Sequence, residues 1–406
     1  MGSLKNKSRN EHTMRYQRGP KNILGRSIAC VCLSMLAMVF AVSSIMFIMT
    51  HEIMKDMRIA NKLVVGSRDS VLTAESKENQ DNVSPSLKRR KIAGRDFFWE
   101  YPPQHSTNVP IDGILFIAHG CYRQATDFWS RSKTCLECIG LPEELAIVDI
   151  ALNQFSFVVV ATSSSGKNKC WNTDDGAVVA QGLEIITNEI VSENDYINEG
   201  CLPVYAQGLS SGGHFVSSIL PNAMKALNLQ DLRGYLSQIS VPADKERIED
   251  IPAVFITMNR DTKIEKPVAL AVRKMNSKIG ETKALHIKLP PIPLTDTFFS
   301  DRIGGYYSAE ISTEMVRSLH NCDIINDSNE IIRNPRKPEK KPKWKNCLKR
   351  FASASADSMV SDESPLAEVL NTAFGMHESS RDGVKEALTF LKDRAGNPKI
   401  SDCNKK

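Results

Sequence analysis

The stretch Leu202-Pro203-Val204-Tyr205-Ala206-Gln207-Gly208-Leu209-Ser210-Ser211-Gly212-Gly213-His214-Phe215 decides the architecture. Its first five residues form a strand-like apolar run, and Gly213 to Leu227 reads as a helix. Between them Gly208-Leu209-Ser210-Ser211-Gly212 fits G-x-S-x-G. A strand-to-helix turn this tight has no room for side chains two residues before and after the serine, which requires Gly208 and Gly212. It also holds the serine in a strained backbone, Oγ exposed, at the positive end of the next helix. Ser210 has both glycines, whereas Ser211 has Leu209 at the earlier position. The competing reading is a Ser/Gly-rich turn without chemistry, or one that binds an anion at a helix N-terminus.

Outward from the elbow the chain repeats strand, loop, helix. Ile114–Ala118, Phe157–Ala161, Ala253–Thr257 and Leu285–Leu289 are further apolar runs, and Leu236–Val241 adds one more. Continuous β-branched runs of this length suit strands of a parallel sheet buried on both faces. Helices are expected over Pro142–Leu152, Val178–Val191 and Pro267–Ile279, with a last one from about Ser379 to Arg394. The alternation predicts an open α/β sheet with right-handed crossovers. The segment 295–365 reads as a lid or insertion. Its lysine-, proline- and serine-rich part from Asn334 is expected to be mobile.

The elbow sets requirements on the other strand ends. An oxyanion hole needs two backbone N–H groups, one from the residue after the nucleophile, Ser211. The other comes from the loop after an earlier strand, and His119-Gly120-Cys121 follows Ile114–Ala118, which makes Cys121 the second donor. A plain strand-end turn is the alternative. The acid belongs after a later strand. Asp261 follows Ala253–Thr257, with Asp244 the runner-up and a turn or helix-cap role the bland reading of Asp261. The base must be one of eight histidines. His377, in the loop before the last helix, gives the order serine, acid, histidine. About 80 residues separate it from Leu294, where a direct connection is usual. The aromatics Phe298, Phe299, Tyr306 and Tyr307 of that segment either roof an apolar acyl pocket or pack on the sheet.

The formal charge of +5 is unevenly placed. Met1–Arg26 holds seven basic residues and one acid, and the remainder carries 45 basic against 46 acidic residues. Ser27–Thr50 has no charged residue and is long enough for a membrane helix of about 20 residues. The basic flank places the N-terminus in the cytosol and the rest across the membrane, a type II arrangement in the secretory pathway. A cleaved signal peptide is the alternative. The expected domains are a basic tail over 1–26, a signal anchor over 27–50, a stalk over 51–95, one α/β domain over 96–394 and a tail over 395–406. The near-neutral ectodomain excludes nucleic acid as a partner. Eight of the ten cysteines follow the span, where disulfides persist. Cys135-x-x-Cys138 has metal-ligand spacing but no second pair, so disulfides are preferred and no metal or cofactor is expected. Asn82 and Asn326 head glycosylation sequons.

Ala118-His119-Gly120-Cys121, Ala125-Thr126-Asp127-Phe128-Trp129, Cys138-Ile139-Gly140-Leu141-Pro142-Glu143-Glu144, Ser163-Ser164-Ser165-Gly166-Lys167, Cys170-Trp171 and Leu209–Phe215 together resemble the α/β-hydrolase superfamily. More narrowly they resemble single-span α/β-hydrolase-like proteins of plants and algae. The resemblance covers about Phe97 to Lys392. It implies a mostly parallel sheet flanked by helices and hydrolysis of an ester, thioester or amide. The expectation is a membrane-anchored serine hydrolase with Ser210, Asp261 and His377 as its triad, acting on a small-molecule or lipid-like ester. An inactive hydrolase fold serving as a luminal binding module is the competing expectation, since fold alone does not establish activity. Acyl transfer is a third.

Overall fold

The computed structural model describes residues 87–103, 110–194, 202–230, 232–242, 251–277, 282–304, 306–336, 343–351 and 364–396. The tail, the apolar run 27–50, Asn82, Asp244, Cys201, Cys403 and the tail from 397 lie outside them. No helix among the described residues is long and apolar enough to cross a membrane.

Eight strands form one sheet: β1 (Lys88–Ile92), β2 (Arg95–Glu100), β3 (Gly113–Ala118), β4 (Phe157–Thr162), β5 (Val204–Leu209), β6 (Gly234–Gln238), β7 (Ala253–Met258) and β8 (Ala284–Leu289). Their spatial order is β1-β2-β4-β3-β5-β6-β7-β8, and only β2 runs against the others. This order, with one antiparallel strand near one edge, is the α/β-hydrolase fold. Every residue of β3, β4, β5 and β7 is buried, because helices cover both faces.

One face packs Phe116, Val158, Val160 and Phe255 under α2 (Thr173–Ser192), α3 (211–226) and α4 (Thr262–Ser277). Helix α3 runs through Ser211–His214, a π turn over Phe215–Ile219, and Leu220–Ala226. The other face packs Leu115, Phe157, Val159 and Tyr205 under α1 (Pro142–Phe155) and a late helix bearing Leu388 and Leu391. Each such side chain removed from water stabilises the fold by about 1.5–3 kcal/mol.

The expected stalk ends sooner than residue 95. Lys88–Ile92 pairs antiparallel with Arg95–Trp99 as the edge strand. Its four consecutive basic residues are no obstacle, because acids from elsewhere in the chain meet three of them. Lys88 bonds Glu193 (2.8 Å), Arg89 bonds Asp96 (3.1 Å) and Glu137 (2.5 Å), and Arg90 bonds Glu189 (2.8 Å). A charged edge also resists pairing with another chain.

The expected lid or insertion over 295–365 is described in part. The described part of 295–365 is a folded cap of α5 (Phe298–Arg302), α6 (Ala309–Asn321) and α7 (Lys343–Leu348), completed by α8 (Pro365–Phe374). It encloses its own core of Leu294, Phe298, Phe299, Met315, Leu319, Trp344 and Leu370, and the disulfide Cys322–Cys347 closes it. Residues 337–342 and 352–363 lie outside the described set. Helix α4 begins five residues before Pro267, which the first turns accommodate. The last helix, α9, is Val384–Ala395 rather than starting at Ser379, because Ser379–Gly383 belong to a loop that Gly383 ends at φ +79°.

Candidate active site

Ser210 ends β5 with φ 51° and ψ −111°, a conformation that L-residues avoid. The elbow glycines explain how the chain tolerates it. A β-carbon at Gly208 would lie 2.0 Å from the Gly212 carbonyl oxygen, and one at Gly212 would lie 2.2 Å from that of Ala118. The Ser210 N–H donates to the Gln238 carbonyl (3.0 Å), which pins the turn to the end of β6.

The structure brings Ser210, His377 and Asp261 together. Ser210 Oγ stands 3.0 Å from His377 Nε2, and His377 Nδ1 stands 2.7 Å from Asp261 Oδ2. A carboxylate accepts only, so Nδ1 carries the ring proton and Nε2 offers its lone pair to the serine hydroxyl. Asp261 follows β7, and its side chain is only 6% exposed. His377 follows α8, which ends at Gly375 in a left-handed cap (φ 74°), and His377 is itself left-handed (φ 49°). One backbone bond joins the acid loop to the histidine loop, Arg260 N–H to the Gly375 carbonyl at 3.2 Å. The Arg260 guanidinium also lies 4.4 Å from the Phe374 ring centre and donates to the Ile331 carbonyl at 2.8 Å.

The first loop completes the site. A β-carbon on Gly120 would lie 3.8 Å from Ser210 Cβ, so His119-Gly120-Cys121 passes directly over the nucleophile. Among the described residues the amide N–H groups of Cys121 and Ser211 donate to no protein acceptor. His119 does not face the reaction. It is buried, its Nε2 accepts from the Ser164 N–H (3.1 Å), and its Nδ1–H therefore donates to the Gly120 carbonyl (2.7 Å). Burial pushes its pKa down to about 4, so it stays neutral.

A cleft of about 580 Å³ opens above Ser210. The aromatic roof is not there. Phe298 and Phe299 are buried in the cap core, Tyr307 packs against that core and Tyr306 is exposed, and none of the four lines the cleft. Its walls instead include Arg123, Glu144, Arg336 and Glu378, beside Tyr122, Leu209 and Ile239. Arg336 donates to the His377 carbonyl (2.5 Å) and to Glu378, and Arg123 approaches Glu378 at 3.8 Å. Of these walls Glu144 is almost fully buried, and Glu368 beside it is fully buried. Burial raises the pKa of each, and their mutual repulsion raises Glu368 further. Glu144 Oε2 and Glu368 Oε1 find no N–H or O–H donor, so one proton shared by the pair satisfies both. Burial works against the charge of Arg123, but the surrounding carboxylates Glu378, Glu144 and Glu368 outweigh it and raise its pKa. Sequence reading missed these four charged walls. Only the adjacency of Glu378 to His377, and of Arg123 to the His119 loop, hinted at any of them.

The cysteines pair Cys121–Cys170, Cys135–Cys138 and Cys322–Cys347, so Cys135-x-x-Cys138 is a disulfide. Asn326 sits on an exposed turn.

No protein-family model matches the sequence, and no curated protein matches it. Among solved structures, the chain is similar to a thermostable esterase at 17% identity and a TM-score of 0.33. The match covers 51% of this chain and 54% of the esterase, so the chain spans about half of that protein. It is similar to a serine hydrolase without lid from Xanthomonas campestris at 14% identity and a TM-score of 0.31, covering 52% of this chain and 85% of that one. A monoglyceride lipase from Saccharomyces cerevisiae matches at 11% identity and a TM-score of 0.33, covering 53% and 90%.

Proposed function

We propose that this chain is a membrane-anchored serine hydrolase that cleaves a small-molecule ester through Ser210, His377 and Asp261. The observation that carries the reading is the contact chain from Ser210 Oγ to His377 (3.0 Å) and on to Asp261 (2.7 Å), built on a serine held in strained backbone. His377 Nε2 takes the hydroxyl proton as Oγ bonds the substrate carbonyl carbon. The carbonyl oxygen, now an oxyanion, receives the N–H groups of Cys121 and Ser211. Collapse expels the alcohol, which takes the proton from His377. Water repeats the sequence to release the acid, while Asp261 stabilises the imidazolium.

The cleft supports a small substrate. Its volume of about 580 Å³ suits a short acyl group, and Arg123, Arg336 and Glu378 stand in its walls beside Tyr122, Leu209 and Ile239. The membrane anchor, the type II orientation and the luminal site rest on the basic tail and the apolar run 27–50, and the kinship with single-span plant and algal proteins rests on the motifs between Ala118 and Phe215. The three disulfides accord with an oxidising lumen, and Asn82 and Asn326 are proposed glycosylation sites. The test uses the full chain in detergent with a fluorophosphonate probe and p-nitrophenyl esters of increasing length. Labelling that disappears in Ser210→Ala, with acetate preferred to palmitate, supports the reading. Folded wild type that neither labels nor turns over ester defeats it in favour of an inactive binding module.

A further inference from the structure

The oxyanion hole draws its two amides from different loops, so something must fix the distance between them. Two neighbouring residues touch both sides. Cys170 bonds the sulfur of Cys121, its partner 49 residues earlier. Trp171 stacks on Phe215 of α3, four residues after Ser211, with ring centres 4.3 Å apart. The Trp171 indole N–H also donates to the His119 carbonyl (2.8 Å). The loop Ser163–Asn172 is thus tied to the Cys121 side and to the Ser211 side of the hole.

The same loop is stitched to the first loop at further points. Ser164 N–H reaches His119 Nε2 (3.1 Å), Tyr122 N–H reaches the Asn168 carbonyl (2.7 Å), and Lys169 Nζ reaches Gln124 Oε1 (2.9 Å). These bonds hold His119, Tyr122 and Gln124, and at Cys121 itself the tie is the disulfide. Three residues at this junction, Tyr122, Asn168 and Lys169, adopt left-handed backbone (φ 64°, 57° and 55°). Such conformations cost about 1–2 kcal/mol per residue and persist only where surrounding structure enforces them. Both cysteines of the pair are partly exposed, within reach of a soluble reductant.

We propose that Cys170 and Trp171 are positioning residues of the oxyanion hole, and that the Cys121–Cys170 disulfide makes hydrolysis sensitive to dithiols. The inference rests on the hydrolase reading above. The chemistry is a two-electron exchange. A dithiol attacks one sulfur through a mixed disulfide, and its second thiolate then displaces the remaining cysteine. The protein gains two thiols and the reagent leaves as a cyclic disulfide. The freed Cys121 amide then loses its fixed place.

The experiment uses the full chain in detergent and measures kcat and KM on p-nitrophenyl acetate, the fluorophosphonate labelling rate and the melting temperature. Losing one oxyanion donor costs about 10²–10³ in kcat, and a displaced donor costs less. Cys170→Ser and Cys121→Ser, which both keep the amide, are each expected to lower kcat about 10–100-fold with KM within about twofold. Trp171→Phe, which keeps the stack but not the N–H, should lower kcat by a smaller factor. Cys135→Ser/Cys138→Ser, lacking a disulfide outside both the cap and the hole, should keep wild-type kcat even if it melts earlier. Dithiothreitol should slow wild type reversibly and leave Cys170→Ser unaffected. If Cys170→Ser fails to fold, the wild-type titration decides, with released thiols mapped by mass spectrometry against kcat. Folded Cys170→Ser at wild-type kcat, or reduction of Cys121–Cys170 without loss of kcat, overturns the inference while leaving the hydrolase reading intact. Wild type that neither labels nor turns over overturns both.

Discussion

Replacing Asp261 by Asn isolates the electrostatic half of the proposed triad. Among the described residues the Asp261 side chain has one partner, His377 Nδ1 at 2.7 Å, and its other bonds are made by its backbone, whose carbonyl accepts from Ile264 (3.0 Å) and Glu265 (2.9 Å). The substitution should therefore spare the fold. In the transition state His377 is an imidazolium facing the carboxylate, and at an effective dielectric constant of about 20 two unit charges 2.7 Å apart attract by about 6 kcal/mol. That corresponds to roughly four decades of rate. The His377 side chain is 42% exposed, so solvent screens part of this attraction. An Asn that turns its amide toward Nδ1 adds a second penalty, because it stabilises the tautomer whose Nε2 cannot accept the serine proton. The expected result is a fall in kcat of about 10³ with KM within a few-fold and an unchanged melting temperature. Steady-state hydrolysis of p-nitrophenyl acetate and thermal melts on the same preparation measure it. A folded Asp261→Asn enzyme retaining more than a tenth of wild-type kcat would refute the reasoning and remove Asp261 from the mechanism.

Three further outcomes are expected. Gly212→Ala puts a β-carbon 2.2 Å from the Ala118 carbonyl oxygen, so it should destabilise by about 1–3 kcal/mol and abolish fluorophosphonate labelling. Melts and labelling together check this, and retained labelling would contradict the elbow geometry. Glu368→Gln replaces one of two buried carboxyls whose pKa values are raised. A raised carboxyl favours folding at low pH and loses that contribution as pH climbs past its ordinary range, so the variant should match wild type near pH 5 and melt several degrees higher at pH 8. Burial depresses His119 from 6.5 to about 4, so its contribution is complete above pH 6.5 and lost as pH falls toward 4. Urea unfolding should show His119→Asn losing less stability than wild type across that window, by about 3 kcal/mol at most.

The interior of the sheet was legible because burial on both faces writes itself as unbroken apolar runs, as in Ile114–Ala118 and Phe157–Ala161. The edge was not. Lys88–Ile92 is stabilised by acids at positions 96, 137, 189 and 193, and nothing local announces those pairings. The elbow was readable because its glycines follow from sterics. Asp261 and His377 were readable because few candidates sit at the right sheet edge. The charged cleft walls were hidden, since Arg123 and Arg336 meet at Glu378 only after the cap has folded. Disulfide partners were hidden for the same reason: Cys121 and Cys170 are brought together by two separate strand ends.

The cap has one consequence for how the protein opens. His377 does not hang from the last strand. It leaves the cap's final helix, α8, whereas Ser210 and Asp261 stand on β5 and β7. Arg302 in the cap locks this arrangement by bonding Glu143 at the foot of α1 (2.9 Å) and Asp382 just beyond the histidine (2.5 Å). The proposed general base thus hangs from the cap, and the proposed nucleophile from the sheet. Were the cap to open while the sheet stayed folded, the base would leave with it and the serine would remain unactivated. Loss of activity would then track amide hydrogen exchange in α8.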